Sequence, residues 1–259
     1  GAHYLDITGE IDVFEYAHSR NDDARSSGVA LCPGVGFDVI PTDCVAARLK
    51  EALPDTTQLA LGFDTRSGQS TGTAKTTVER LPDGGAIRKD GKIHRVPLGY
   101  RTRHIDFGDG EKLAVTIPWG DVATAYYTTS IPNVETYIPV SRRMLKTMRR
   151  LNWIRPLLGM SWVQKSAKAR IEKKISGPGV EQREETPTFV WGEAKNDQGE
   201  TRTARIRVAN GYTVTVNGAL AIVDIIQRHR PPSGYLTPSQ LAGATLIEQL
   251  PESGSLQIS

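Results

Sequence analysis

The sequence predicts an α/β fold, with part of a parallel-sheet domain followed by a mixed α+β domain built on a largely antiparallel sheet. Three observations predict it. Strands and a helix alternate over the first thirty-odd residues, and the strands are continuously apolar, as expected where both sheet faces are covered. From about residue 58 the strands become short and are separated by Asp-Gly and Gly-Asp pairs, the signature of hairpins. Two long helical patterns then close the chain.

In order, Tyr4–Ile7 reads as a strand, residues 12–26 as a helix, and Val29–Cys32 as a short apolar strand bounded by Pro33-Gly34. A glycine-rich turn, Pro33–Phe37, opens into a helix over Pro41–Leu53, where Pro41 suits the first turn and Asp43 places negative charge near the positive end of the helix dipole. Gln58–Asp64 alternates as a strand, and Gly72–Leu81 reads as a helix capped by Ser70 or Thr71. Ala86–Arg88, Lys92–Val96, Arg101–Phe107 and Lys112–Ile117 are short strands. Thr188–Lys195 and Thr201–Asn210 make a further hairpin, and helices over Val214–His229 and Thr237–Gln249 follow. The expected divisions are 1–55 for the parallel part, 56–210 for the α+β substrate or dimerisation domain, and 211–259 for helices returning to the first part.

Composition narrows the function classes. With 38% hydrophobic and 24% charged residues and a mean hydropathy of −0.35, the chain is not disordered, collagen-like or a multi-span membrane protein. The longest apolar stretch, Ala219–Ile226, is short and carries Asp224. Two cysteines, Cys32 and Cys44, make no disulfide framework and lack metal-ligand spacing, so a cytoplasmic location is expected. His3, His18, His94, His104 and His229 form no i, i+4 pair, and no metal site is expected.

Charge is unevenly spread. Residues 141–175 hold eleven basic side chains and one acid, Glu172, a local +10 that leaves −7 on the rest of a chain whose total is +3. Met144, Leu145, Met148, Leu151, Ile154, Leu157 and Leu158 recur there at helical spacing, with Trp153 and Trp162 beside them, and Pro156 should kink or divide the helix. Two readings stand: an amphipathic helix packed on its own domain with a solvated basic face, or a segment that meets an anionic membrane surface. Nothing resembles a nucleic-acid-binding module, and no nucleic-acid partner is expected.

The order of motifs resembles the saccharopine-dehydrogenase-like oxidoreductase family. Gly1–Glu10 (GAHYLDITGE) resembles the family's GxHYxDxxGE strand end, and Pro33–Asp43 (PGVGFDVIPTD) its PGxGFDxxPxD loop. Gly72–Lys75, Gly177-Pro178 with Arg183, and Gly234–Pro238 with Gly243 match weaker elements in the same order. The resemblance implies a Rossmann-type NAD(P) domain, with NADP the expected form, and hydride transfer to or from a C=O, C=N or C=C bond. The apolar and basic segment leans the substrate toward a lipid or acyl compound, and a homodimer is open to such a chain. The Gly-x-Gly-x-x-Gly phosphate loop of such domains has no counterpart in this sequence. The expectation is that roughly a hundred residues carrying it precede Gly1 and that the fragment alone is inactive.

Within this chain, Gly34, Gly36, Phe37 and Asp38 are the candidate cofactor-binding residues. The glycines allow close backbone approach, Phe37 could pack on a nicotinamide ring, and Asp38 could accept a hydrogen bond from its carboxamide or from substrate. Asp38 and Lys75 are the candidate catalytic residues, Lys75 standing at a helix start suited to an anionic group or, if burial lowers its pKa, to proton donation. The same loop also reads as a plain strand-to-helix turn, and Lys75 as a solvated lysine. A non-catalytic lipid-interaction protein that keeps the fold is the alternative function.

Overall fold

The computed structural model describes residues 1–66, 71–174 and 186–259. The expected cap at Ser70 and the Gly177–Arg183 stretch lie outside the described residues.

A three-stranded parallel sheet comes first: β1 (Tyr4–Leu5), β2 (Ala30–Cys32) and β11 (Gly234–Tyr235), in the order β1-β2-β11. Leu5 faces Cys32 across one ladder and Tyr235 faces Leu31 across the other. Two helices, α1 (Ile11–Ser19) and α2 (Asn21–Ser26), cross from β1 to β2. The single helix expected over 12–26 is broken at Arg20, whose backbone (φ −95°, ψ 10°) leaves the helical region.

The second sheet has nine strands. Its path is β12 (Gln257–Ile258), β10 (Thr201–Val208), β9 (Thr188–Lys195), β3 (Gln58–Thr65), β8 (Asn133–Pro139), β4 (Gly85–Lys89) and β5 (Lys92–Val96), with β7 (Glu111–Ile117) pairing both β8 and β6 (Thr102–Asp106). Among the described residues only β3 and β8 run parallel in this sheet, and its other pairings are antiparallel. The expected hairpins form. At the β4–β5 turn Asp90 and Gly91 both hold positive φ (50° and 76°), the pattern that suits the right-handed twist of paired strands.

Helix α3 (Ile40–Ala52) follows β2 through the Pro33–Val39 loop and lies on the second sheet, and its buried residues share one hydrophobic core with Cys32 of β2. At Gly192 of β9 a Cβ would stand 2.6 Å from Val45 and 2.8 Å from Leu49, so α3 seats directly on the strand there. Val45, Leu49, Leu61, Val190 and Ala194 are fully buried in the resulting core. Deleting a side chain of this kind costs about 2–5 kcal/mol. The middle of the chain adds α4 (Thr71–Arg80), a 3-10 turn (Leu81–Asp83), α5 (Asp121–Thr129), α6 (Arg142–Leu158) and α7 (Ser161–Lys174). Pro156 does not divide α6; the helix runs two residues further and ends before Gly159. That position is near enough to the end that little helix remains to be disrupted.

Helix α8 (Gly211–Arg228) is capped by Asn210, whose Oδ1 accepts from the Tyr212 and Thr213 amides at 2.9 and 3.1 Å. It packs back on the Pro33–Asp38 loop, with Gly218 against Ile40 and Thr215 against Gly36. The closing helix expected over 237–249 is two short ones, α9 (Pro238–Ala242) and α10 (Leu246–Gln249), separated at Gly243, whose φ of 91° no helix tolerates. No helix among the described residues is long and apolar enough to cross a membrane.

Candidate functional site

The carboxyl ends of β1 and β2 open on the same side, where open parallel sheets bind ligands. Asp6, just past β1, ties the two strand ends together. Its Oδ1 accepts from the Thr8 and Gly34 amides at 3.0 and 2.9 Å, and its backbone oxygen accepts from the Val35 amide at 2.8 Å. Gly34 holds φ +78°, and the space a side chain would take there is filled by Val39 (2.6 Å) and Phe14 (2.8 Å). The corresponding space at Gly36 is taken by Thr215 of α8. Both glycines therefore let protein side chains close on the loop.

Phe37 and Asp38 are held differently. The Phe37 amide donates to Thr215 Oγ1 at 3.0 Å, and its half-buried ring meets Phe63 edge to face with centroids 5.4 Å apart. Phe63 in turn packs on Trp119 at 4.9 Å, and Trp119 Nε1 donates to the Asp38 backbone oxygen at 2.9 Å. The Asp38 carboxylate lies over Gly9, 2.7 Å from where a Cβ would stand, so a residue with a side chain at 9 would displace it. No hydrogen bond joins that carboxylate to a described residue, and burial pushes its pKa from the ordinary 3.8 up to about 6. A desolvated, unpaired carboxyl at the mouth of a parallel sheet is the arrangement that functional sites favour.

Behind it are two more buried carboxyls that sequence reading did not assign to the site. Asp121, at the start of α5, accepts from Thr42 Oγ1 at 2.6 Å through Oδ1, while Oδ2 is buried with no described partner. Burial raises its pKa well above the usual range, and the charges of Asp43 and Asp38 raise it further. Asp43 accepts from the Ser239 amide at 2.8 Å and from the Thr128 hydroxyl. It is fully buried, so it pins α3, α5 and α9 together, whereas the sequence suggested a charge near a helix end. Burial raises its pKa, and the hydrogen bonds from Thr128 and Ser239 oppose that rise.

Lys75 is placed elsewhere. Its Nζ donates to Glu172 of α7 at 2.6 Å, and no hydrogen bond or ion pair joins it to the Gly34–Asp38 loop. Lys75 is thus engaged by α7 and not by the loop. His3, read as structural, accepts from the Ala30 amide through Nδ1 at 3.0 Å. A second cluster escaped the sequence altogether: His18 stacks on Tyr127 at 3.9 Å, beside Tyr235, with Arg88 over Tyr126 and Tyr127. Burial lowers the His18 pKa. Two open concavities lie away from the loop, one of about 420 Å³ on the outer face of the second sheet around Arg101, Arg103, Glu135 and Glu193, the other of about 400 Å³ against α1 and α2. Neither contains an unpaired buried carboxyl, so the loop is the better candidate. No group of described residues could hold a metal ion.

Fit to a nicotinamide cofactor divides along its length. Phe37, Phe63, Trp119 and the Asp38 carboxyl suit a flat ring bearing an amide. A pyrophosphate is not suited: the first turn of α3 is buried, and Asp43 and Asp38 stand close enough to Asp121 to raise its pKa, which leaves carboxyls rather than cations there. No family model matches the chain, and no curated protein matches it in sequence. Among solved structures the chain is similar to apo histidine-tagged saccharopine dehydrogenase (L-Glu forming) from Saccharomyces cerevisiae, with a TM-score of 0.54 and 10% identity, over 93% of this chain and 76% of that one. The likeness is one of fold. It agrees with the α/β class and the parallel and mixed sheets expected from the sequence, and at that identity it transfers no residue role.

Proposed function

We propose that the loop at Gly34–Asp38 forms the nicotinamide and substrate end of an NAD(P)-dependent oxidoreductase site. The observation that carries the reading is Asp38: an unpaired carboxyl whose pKa burial lifts to about 6, beside an aromatic wall at the carboxyl ends of parallel strands. The cofactor, when bound, supplies or accepts the hydride. The chain's own residues do the rest. Phe37 and Trp119 orient a flat ring, and Asp38 accepts a hydrogen bond from the amide or, protonated, donates to the reacting group of the substrate. The aromatic wall suits a substrate with an apolar portion, an acyl or lipid-like compound, better than a small charged amino acid. Asp121 and Asp43 act by positioning the start of α3, and Lys75 has no part in this reading.

The test uses reduced nicotinamide mononucleotide, which presents the ring without the adenylate half. Titrated into the chain, it should quench tryptophan emission, and Trp119→Phe should remove most of the quench. Phe37→Ala and Asp38→Ala should each weaken binding by about tenfold, the loss of roughly 1.4 kcal/mol of contact, while leaving the circular dichroism unchanged. If both variants bind as the parent does, the loop is a structural turn and the assignment fails.

A further inference from the structure

Helix α6 divides its side chains in a way that its own fold does not use up. Residues advance about 100° each around a helix, and the inner face is already occupied. Leu145 is buried, Asn152 bonds both the amide and the carbonyl of Leu98 at 2.9 Å, and Arg149 Nε donates to the Gly99 oxygen at 3.2 Å. With Asn152 turned inward, Trp153 must point out, and it is 89% exposed. Ile154, Leu157, Met160 and Trp162 (68% exposed) continue the apolar surface around the corner into α7. Gln164 holds that corner, donating to the Leu158 and Val78 oxygens at 2.6 and 3.0 Å.

Next to this apolar corner, Arg143, Lys146 and Arg150 lie exposed on the same outer face of α6, and none makes an ion pair with a described residue. Helix α6 contains no acid at all. On α7 the acid Glu172 is engaged by Lys75, and Lys168 reaches back to Glu79, so among the described residues of α4 and α7 these acids are already paired.

We propose that the α6–α7 corner docks on an anionic phospholipid surface, with Trp153, Leu157 and Trp162 entering the interface and Arg143, Lys146 and Arg150 meeting the headgroups. Tryptophans at the level of the headgroups, flanked by cations on an amphipathic helix, are the chemistry of such a surface. A second copy of the chain fits less well, because a two-fold contact on this face would set its unpaired cations against themselves. A nucleic-acid backbone would meet the cations and offer nothing to the apolar tip. The proposal does not rest on the reading of the Asp38 cleft.

Co-sedimentation with phosphatidylcholine vesicles, with and without phosphatidylserine, tests it. The chain should pellet with the phosphatidylserine vesicles at low salt and progressively less as salt rises, since screening over about 8 Å at physiological ionic strength weakens exposed charges. Arg143→Glu/Arg150→Glu should lower the partition coefficient by about tenfold or more. Trp153→Ser/Trp162→Ser should do the same by removing the apolar part. All four positions are exposed, and unchanged circular dichroism checks that the variants are folded. No pelleting at low salt overturns the proposal, as does pelleting that neither double variant reduces. A dimer that Trp153→Ser/Trp162→Ser dissociates, without vesicle binding, overturns it in favour of self-association.

Discussion

Replacing Asp38 by Asn tests whether its carboxyl is buried at a cost to stability. The carboxyl titrates near its ordinary 3.8 in the unfolded chain and at about 6 in the folded one. The folded pKa is the higher, so the native state binds the proton more tightly and the unfolded state binds fewer protons across that window. Stability contributed by the neutral acid is therefore complete below the unfolded pKa and is lost as pH rises through about 6. Two pKa units correspond to about 3 kcal/mol, and partial contact of the side chain with solvent reduces that to about 1–3 kcal/mol. Asn keeps the shape over Gly9 and carries no charge at any pH, so Asp38→Asn should stabilise the protein by that amount at pH 8 and by almost nothing at pH 4. Urea unfolding across this range, read as the shift in midpoint at constant m-value, measures it. A stabilisation that is the same at both ends, or a loss at pH 8, refutes the claim that Asp38 is desolvated and unpaired.

Other expectations follow from the same geometry. Gly34→Ala should cost about 2–4 kcal/mol in urea unfolding, combining left-handed backbone strain with overpacking against Val39 and Phe14. Gly28→Ala, at φ +66° with open space around it, should cost only about 1 kcal/mol, and equal losses at the two sites would contradict the packing argument. Arg88, whose guanidinium donates to the Val122 and Gly91 oxygens and to Glu15, should lose about 3–5 kcal/mol on Arg88→Ala, measured in the same way. NADPH should bind the chain no tighter than reduced nicotinamide mononucleotide in calorimetry, because the start of α3 offers its phosphates no cradle; much tighter binding would place a phosphate site elsewhere among these residues.

How far the sequence carried can be traced residue by residue. The hairpins were legible because Asp90-Gly91 and the glycines around 108–110 encode backbone conformations that few other residues adopt. The parallel start was legible because Val29–Cys32 is apolar without alternation. Helix α5 was not, since it is buried on nearly every side, from Asp121 through Ala125, and a helix without a wet face shows no 3.6-residue stripe. Its partner strand β8 lay hidden for a related reason: its parallel pairing with β3 joins residues some seventy-five positions apart. The Gly34–Asp38 loop was singled out through its motif, but the exposure that separates Asp38 from the fully buried Asp43 exists only after folding. The stack of His18 on Tyr127 is likewise invisible in one dimension. Lys75 shows the converse, a plausible residue type at a helix start whose charge is met by an acid ninety-seven positions later.

Because α3 begins at the Gly34–Asp38 loop and ends on the second sheet, the loop and that sheet share one rod. Its first turn carries the pins at Thr42 and Asp43, and its third is wedged on Gly192. A methyl group added at Gly192 would press on Val45 and Leu49 of that rod, whose other end adjoins Val39 and Asp38. Substitutions in the hydrophobic floor, remote from any ligand, should thus alter the titration of Asp38 as well as the melting temperature.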